Sequence, residues 1–222
     1  MKTVAFVPVK LNNQRMPGKN TKCFDDGTPL ITYFLQTLVA VKEFDEIYVF
    51  CSDDAIKDYL IDGVFFCQRP DYLDLQSATP QDIISEFMNA INADIYAVCH
   101  CTSPFVSGEH IAECVKKVKD EGFDSAFLGE KIQRLLWNRD CEPVNFDPTN
   151  IPRTQDLEPV FTEVSAAYVF RRETFINLRR RIGKNPYLCE VGGIEAVDID
   201  YPEDFDIANA IYMNALKERE DK

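Results

Sequence analysis

Short runs of apolar, β-branched and aromatic residues alternate along this chain with longer stretches of helical spacing, and this alternation restricts the fold more than any other feature. Val4-Ala5-Phe6-Val7-Pro8-Val9, Glu46-Ile47-Tyr48-Val49-Phe50-Cys51, Val64-Phe65-Phe66-Cys67, Asp94-Ile95-Tyr96-Ala97-Val98-Cys99, Ser125-Ala126-Phe127-Leu128, Ala166-Ala167-Tyr168-Val169-Phe170 and Ala196-Val197-Asp198-Ile199-Asp200 read as strands. Helical spacing runs through residues 29–41, 80–91 and 107–118, through a short basic stretch at 171–181, and from Pro202 to about Glu218. Ser52-Asp53-Asp54 supplies caps for a further short helix. Strands alternating with helices imply right-handed crossovers, hence a three-layer α/β fold: a mostly parallel twisted sheet with helices on both faces. The run at 94–99 is the most strand-like and is expected at the centre. Ligands in such a sheet belong at the carboxyl ends of the strands.

At 222 residues and 45% hydrophobic content the chain can bury a full core, so a single domain over 1–222 is expected. Residues 131–163 interrupt the alternation with Trp137, Pro143, Pro148, Pro152 and Pro159 among polar residues. An irregular piece of that length is expected to be functional, as an arm that packs on another subunit or covers the site. No stretch has the roughly 18–20 apolar residues of a membrane span, and no secretory leader is evident, so a soluble, cytoplasmic protein without membrane partners is expected. The eight cysteines contain no CxxC pair and read as small core residues in a reducing compartment. A sequence pI of 4.6 argues against nucleic acid as a partner, which needs many Lys and Arg contacts.

Against a formal net charge of −13, the first 24 residues hold Lys2, Lys10, Arg15, Lys19 and Lys22 and no acid. A buried strand opening into Lys10-Leu11-Asn12-Asn13-Gln14-Arg15-Met16-Pro17-Gly18-Lys19-Asn20 can receive a polyphosphate through loop N–H groups and cations. The loop is neither GxxxxGK[ST] nor GxGxxG, so a solvated surface loop is the other reading. Asp198 and Asp200 flank one residue; on a strand both side chains would share a face. Paired carboxylates suit Mg²⁺, which takes one or two of them and completes its shell with water and phosphate. Equally, Asp200 could cap the last helix and Asp198 be solvated. His100 ends the central strand, as a hydrogen-bonded structural residue or a participant in chemistry. Tyr168 reads as core with its hydroxyl on a partner, and Arg171, Arg172, Arg179, Arg180 and Arg181 as a solvated helix face.

Pro17-Gly18-Lys19-Asn20 after the first strand, Thr102-Ser103-Pro104 after the central strand, and Asp198-Ile199-Asp200 with Glu203-Asp204-Phe205 before the last helix occur in order. Together they resemble the acylneuraminate cytidylyltransferase family, related to CMP-Kdo synthetase, over nearly the whole chain. The resemblance implies a fold like that of nucleotide-diphospho-sugar transferases, CTP phosphates held by Lys10, Arg15, Lys19 and Asn20, and Mg²⁺ held by Asp198 and Asp200. Asn13, Thr79, His100 and Thr102 would complete the nucleotide and substrate contacts, and Lys10, Arg15, Lys19 and Asp200 would carry catalysis. It also implies that residues 131–163 are a dimerisation insert, and so a homodimer. The chain departs from the family pattern at Lys10-Leu11-Asn12-Asn13-Gln14, where Arg-x-x-Ser-Lys is usual, at His100-Cys101 for Gln-Pro, and at Val164-Ser165 for Asn-Gly.

The expected reaction is Mg²⁺-dependent transfer of CMP from CTP to the anomeric hydroxyl of a 2-keto-3-deoxy sugar acid, with release of pyrophosphate. Transfer to a sugar 1-phosphate, and a non-catalytic module that binds only nucleotide or a partner, are the alternatives.

Overall fold

A computed structural model describes the backbone of residues 1–220 and the side chains of residues 1–217. Seven strands form one sheet: β1 (Thr3–Val9), β2 (Glu46–Cys51), β3 (Val64–Gln68), β4 (Ile95–Cys99), β5 (Ser125–Ile132), β6 (Val160–Arg171) and β7 (Pro186–Val191). Their order is β3-β2-β1-β4-β6-β5-β7, which puts β4 at the centre as expected. β6 alone runs opposite to its neighbours β4 and β5, and β5 pairs parallel with β7. The helices are α1 (Leu30–Ala40), α2 (Pro80–Ala90), α3 (Gly108–Asp120), α4 (Arg172–Leu178) and α5 (Pro202–Glu220).

Strand β1 shows why the fold has three layers. Ala5, Val7 and Val9 belong to a buried cluster with Ile31, Phe34 and Leu38 of α1 and Ile111, Val115 and Val118 of α3. Val4 and Phe6, pointing the other way, pack with Ile84, Phe87 and Met88 of α2 and Phe175 of α4. Phe6 and Phe87 stack at 4.0 Å between ring centroids. A strand covered on both faces must be apolar at nearly every position, and β1 is. A third cluster seats α5, with Phe205, Ala208 and Tyr212 packed on Phe24, Leu30, Met16 and Ile199.

Two expectations need correction. Residues 196–200 are not a strand: a 3-10 turn over Gly193–Ala196 leads into an extended segment outside the sheet. Their alternation reflects one buried residue, Ile199, between exposed Asp198 and half-buried Asp200. The last strand is instead β7, whose Tyr187, Cys189 and Val191 alternate along an edge. The arm is also shorter than expected. β5 and β6 continue past a bulge at Phe127 and Leu128 as a two-stranded ribbon that pairs Leu128 with Val164 and Ile132 with Val160. Only residues 133–159 lie outside strands, and within them Trp137 bridges Pro143 while its ring meets Phe146 edge-on at 5.2 Å. No helix among the described residues is long and apolar enough to cross a membrane.

Candidate functional site

The basic loop begins where β1 ends at Val9, at the carboxyl edge of the sheet. Pro17 and Gly18 occupy the centre of a tight turn closed by Lys19 N–H donating to the Met16 carbonyl at 3.1 Å. Gly18 has φ 69° and ψ 13°, the third position of a type II turn, which explains a glycine there. The turn drives Lys19 inward, where it is only 8% exposed. Its Nζ donates to the Ile199 carbonyl at 2.7 Å and to Asp200 Oδ1 at 3.3 Å. Arg15 Nη1 takes the other oxygen, Asp200 Oδ2, at 2.8 Å. Loop and acidic segment, some 180 residues apart in sequence, therefore meet through three hydrogen bonds. A cavity of about 250 Å³ opens there, lined by Lys10, Asn13, Gln14, Arg15, Met16, Lys19 and Asp200.

The other side of the site is built by the turn after β4. The Thr102 carbonyl accepts from Ile199 N–H at 2.8 Å, and Ser103 Oγ donates to Asp198 Oδ1 at 3.2 Å. Asp204, in the first turn of α5, accepts from the backbone N–H groups of Asp200 and Tyr201 at 2.9 and 2.8 Å. Those two bonds hold the Asp204 carboxyl below the usual carboxylate range. The backbone of 198–200 is thus fixed by β4 on one side and α5 on the other, while its carboxylates face outward.

The expected site residues divide into two groups. Lys10, Asn13, Arg15, Lys19 and Asp200 line the common cavity. Among the described residues Lys10 has no ion pair and Asn13 Oδ1 is buried without a hydrogen-bond partner. Asn20 and Thr79 are engaged within the protein. Asn20 Nδ2 donates to the Lys10 carbonyl at 3.0 Å and its Oδ1 accepts from the Cys101 thiol, so it ties the loop to the turn after β4. The Thr79 hydroxyl and Asp82 form a capping box at the start of α2. Its neighbourhood still reaches the loop, because Gln76 Nε2 donates to Gln14 Oε1 at 2.6 Å. Thr102 acts through its backbone, as described.

His100 meets the Tyr168 ring edge-on at 6.4 Å between centroids, and neither of its ring nitrogens bonds another described residue. Desolvation, with the charges of Arg181 and Lys19 acting in the same direction, brings its pKa down to about 4, so the ring is neutral at ordinary pH. Burial pushes the Tyr168 phenol up to about 12. The sequence reading missed Ser103 as the partner of Asp198 and, outside the lining of this cavity, the buried pairing of Arg69 with Asp74. Arg69 is 2% exposed, pairs with Asp74 and leaves its Nε without a partner. A lone arginine after a strand carries no signal of burial; only the packing reveals it.

The donor set can be tested against Mg²⁺. Among the described residues no group of three or more His, Cys, Asp or Glu side chains could enclose a metal ion. Mg²⁺ needs no such cage when phosphate oxygens and water complete its octahedron, and two outward carboxylates on one rigid segment fit that pattern. Asp198, held among the described residues by Ser103 alone, is the freer of the two.

Lys10, Arg15 and Lys19 gather with Asp200 around one cavity at the strand ends of a largely parallel sheet, the edge at which α/β proteins take their ligands, and Asp198 lies outside that lining. A family model described as cytidylyltransferase matches residues 4–220. The chain belongs to that family. It is 29% identical over 211 residues to an N-acylneuraminate cytidylyltransferase of Oncorhynchus mykiss, covering 89% of this chain and 48% of that protein. It is 21% identical over 234 residues to the N-acylneuraminate cytidylyltransferase of a serotype V strain of Streptococcus agalactiae, covering 100% of this chain and 56% of that one. The chain thus spans about half the length of the curated relatives it matches. In fold it is similar to a CMP:2-keto-3-deoxy-manno-octonic acid synthetase complexed with CTP, with a TM-score of 0.72 at 18% identity over 97% of this chain and 100% of that one.

Proposed function

We propose that this chain transfers CMP from CTP to the anomeric hydroxyl of a 2-keto-3-deoxy sugar acid and releases pyrophosphate. The observation that carries the reading is the convergence of Arg15 and Lys19 on Asp200 at the edge of the cavity lined by Lys10 and Asn13. The two cations share the Asp200 carboxylate. A triphosphate entering the cavity offers them a stronger anionic partner and frees an Asp200 oxygen. Asp198 and Asp200 are the carboxylates that would hold Mg²⁺, and the ion would supply charge neutralisation on the phosphates.

In the reaction the acceptor hydroxyl oxygen bonds to the α-phosphorus, the bond from that phosphorus to the bridging oxygen breaks, and the hydroxyl proton passes to solvent. Negative charge grows on the departing pyrophosphate. Lys10, Arg15 and Lys19 stabilise it, and the short tethers of Asn20 and the Pro17-Gly18 turn hold these cations in place before substrate arrives. No covalent intermediate with the protein is required. The protein acts as a cytoplasmic homodimer through residues 133–159, where Trp137, Val144 and Ile151 are exposed apolar side chains without a core to enter.

The test is pyrophosphate release with Mg²⁺, each of the four nucleoside triphosphates, and a panel of 2-keto-3-deoxy sugar acids that includes N-acetylneuraminic acid and 2-keto-3-deoxy-manno-octonic acid. Release with CTP and one or more acids is expected. Release only with a sugar 1-phosphate, or CTP binding in a calorimeter with no release from any acceptor, would replace this reading.

A further inference from the structure

The three consecutive arginines after α4 do not form the uniform basic face their sequence suggests. Arg179, in the left-handed conformation at φ 54°, ends the helix and pairs with Asp82 at 3.1 Å. Arg180 Nη2 donates to the Gly183 carbonyl at 3.4 Å. Arg181 turns onto the sheet, where its guanidinium carbon lies 3.5 Å from the centre of the Tyr168 ring. That stack fixes the plane of the fork. The chain just beyond is pinned as well: Gly183 N–H donates to Ser125 Oγ at 2.8 Å, and the N–H groups of Lys184 and Asn185 donate to Asp124 Oδ2 at 2.7 and 2.9 Å.

Glu163, at the arm end of β6, accepts from the Tyr168 hydroxyl at 2.9 Å and from Arg181 Nη2 at 3.4 Å. The second contact is long for a charge-assisted hydrogen bond. Nε and Nη1 of Arg181 have no hydrogen-bond partner among the described residues, and 27% of the side chain is exposed. Tyr168 lies opposite Val98 near the carboxyl end of β4 and its ring touches His100, which feels the charges of both Arg181 and Lys19. A preorganised, under-satisfied guanidinium therefore sits on the side of His100 served by β6, and Lys10, Arg15 and Lys19 attend the cavity formed by the basic loop.

A 2-keto sugar acid carries its carboxylate on the same carbon as the attacking hydroxyl. That anion must approach a triphosphate, and like charges at this range repel strongly unless a cation not already held by phosphate screens the newcomer. We propose that Arg181 is the specificity-determining residue that receives the acceptor's carboxylate, with Tyr168 as its platform and Glu163 as the counter-charge displaced on binding. The proposal rests on the sugar-acid reading above. Gripping the carboxylate with a planar fork also aims the neighbouring hydroxyl, because one carbon joins them.

The experiment compares the wild type with Arg181→Gln, Arg181→Lys and Glu163→Gln, measuring KM for the best acid of the panel and KM for CTP by pyrophosphate release. Arg181→Gln is expected to raise KM for the acid about ten- to a hundredfold while KM for CTP stays within about twofold. Arg181→Lys keeps the charge and loses the fork, so a several-fold rise is expected, and it serves if the glutamine variant fails to fold. Glu163→Gln removes the competing anion and should lower KM for the acid, a sign that a merely structural Arg181 would not produce. Folded Arg181 variants with unchanged KM for the acid, or with KM for CTP rising in parallel, overturn the proposal while leaving the proposed function standing. Wild-type protein that releases pyrophosphate with no acid overturns both.

Discussion

Lys19 illustrates how one side chain couples two distant segments. Its buried ammonium is held by the Ile199 carbonyl and by one Asp200 oxygen, and an amide at position 200 would still offer it an oxygen while losing the charge. Asp200→Asn is therefore expected to cut turnover about a hundredfold or more while circular dichroism shows an intact fold; near wild-type pyrophosphate release would remove Asp200 from the reaction. His100 yields a prediction about acid. Its folded pKa of about 4 lies below the ordinary 6.5, so the unfolded chain takes up the proton more readily. The resulting stability is present in full above pH 6.5 and is lost as pH falls toward 4. His100→Gln should flatten the denaturant midpoint over that interval relative to the wild type. A parallel decline in both proteins would assign the acid sensitivity over that interval to other groups. At Gly18 the left-handed backbone sets the constraint, since a Cβ there would meet nothing closer than Thr21 Oγ1 at 4.0 Å. Gly18→Ala should cost about 1–2 kcal/mol in urea unfolding from the backbone conformation alone, and an unchanged midpoint would contradict that cause.

Among the elements, α2 tests whether Thr79 is a ligand or a cap. Its hydroxyl is committed to Asp82 at both ends of the capping box, so Thr79→Ala should lower stability by about 1 kcal/mol, or roughly 2–4 °C in melting temperature. KM for CTP should not move. A tenfold rise would restore Thr79 to the nucleotide contacts. Strands β1, β2 and β4 were legible from composition because burial on both faces demands nearly continuous apolar residues. β7 was not, since an edge strand that begins at Pro186 and exposes Glu190 needs only alternate apolar residues, a pattern loops also show. Residues 196–200 mimic a strand for the converse reason. One buried Ile199 between two acids has the same period, although its N–H bonds the Thr102 carbonyl outside the sheet.

At the scale of the molecule, residues 133–159 leave the sheet on the β5–β6 ribbon and bring exposed Trp137, Val144 and Ile151 with them. If these side chains pair with a second copy, Trp137→Glu should shift the sedimentation coefficient from dimer to monomer, while the sheet keeps its circular dichroism. A wild type that sediments as a monomer at micromolar concentration would refute the dimer.

The order of motifs along the chain already determined the layered α/β architecture, the basic loop after β1 and the acids before α5, because hydrophobic period and local charge are properties of neighbouring residues. Which of these groups are free to meet a ligand was decided only in three dimensions. Asn20 and Thr79 look as available as Asn13 in the sequence, yet their polar atoms are bonded within the protein, and the Asn13 carbonyl is left unpartnered beside the cavity. Arg181 is indistinguishable from Arg179 and Arg180 until the turn after α4 lays it on Tyr168. Hydrogen bonding and desolvation depend on contacts between residues far apart in the chain, and those contacts exist only once the sheet has closed.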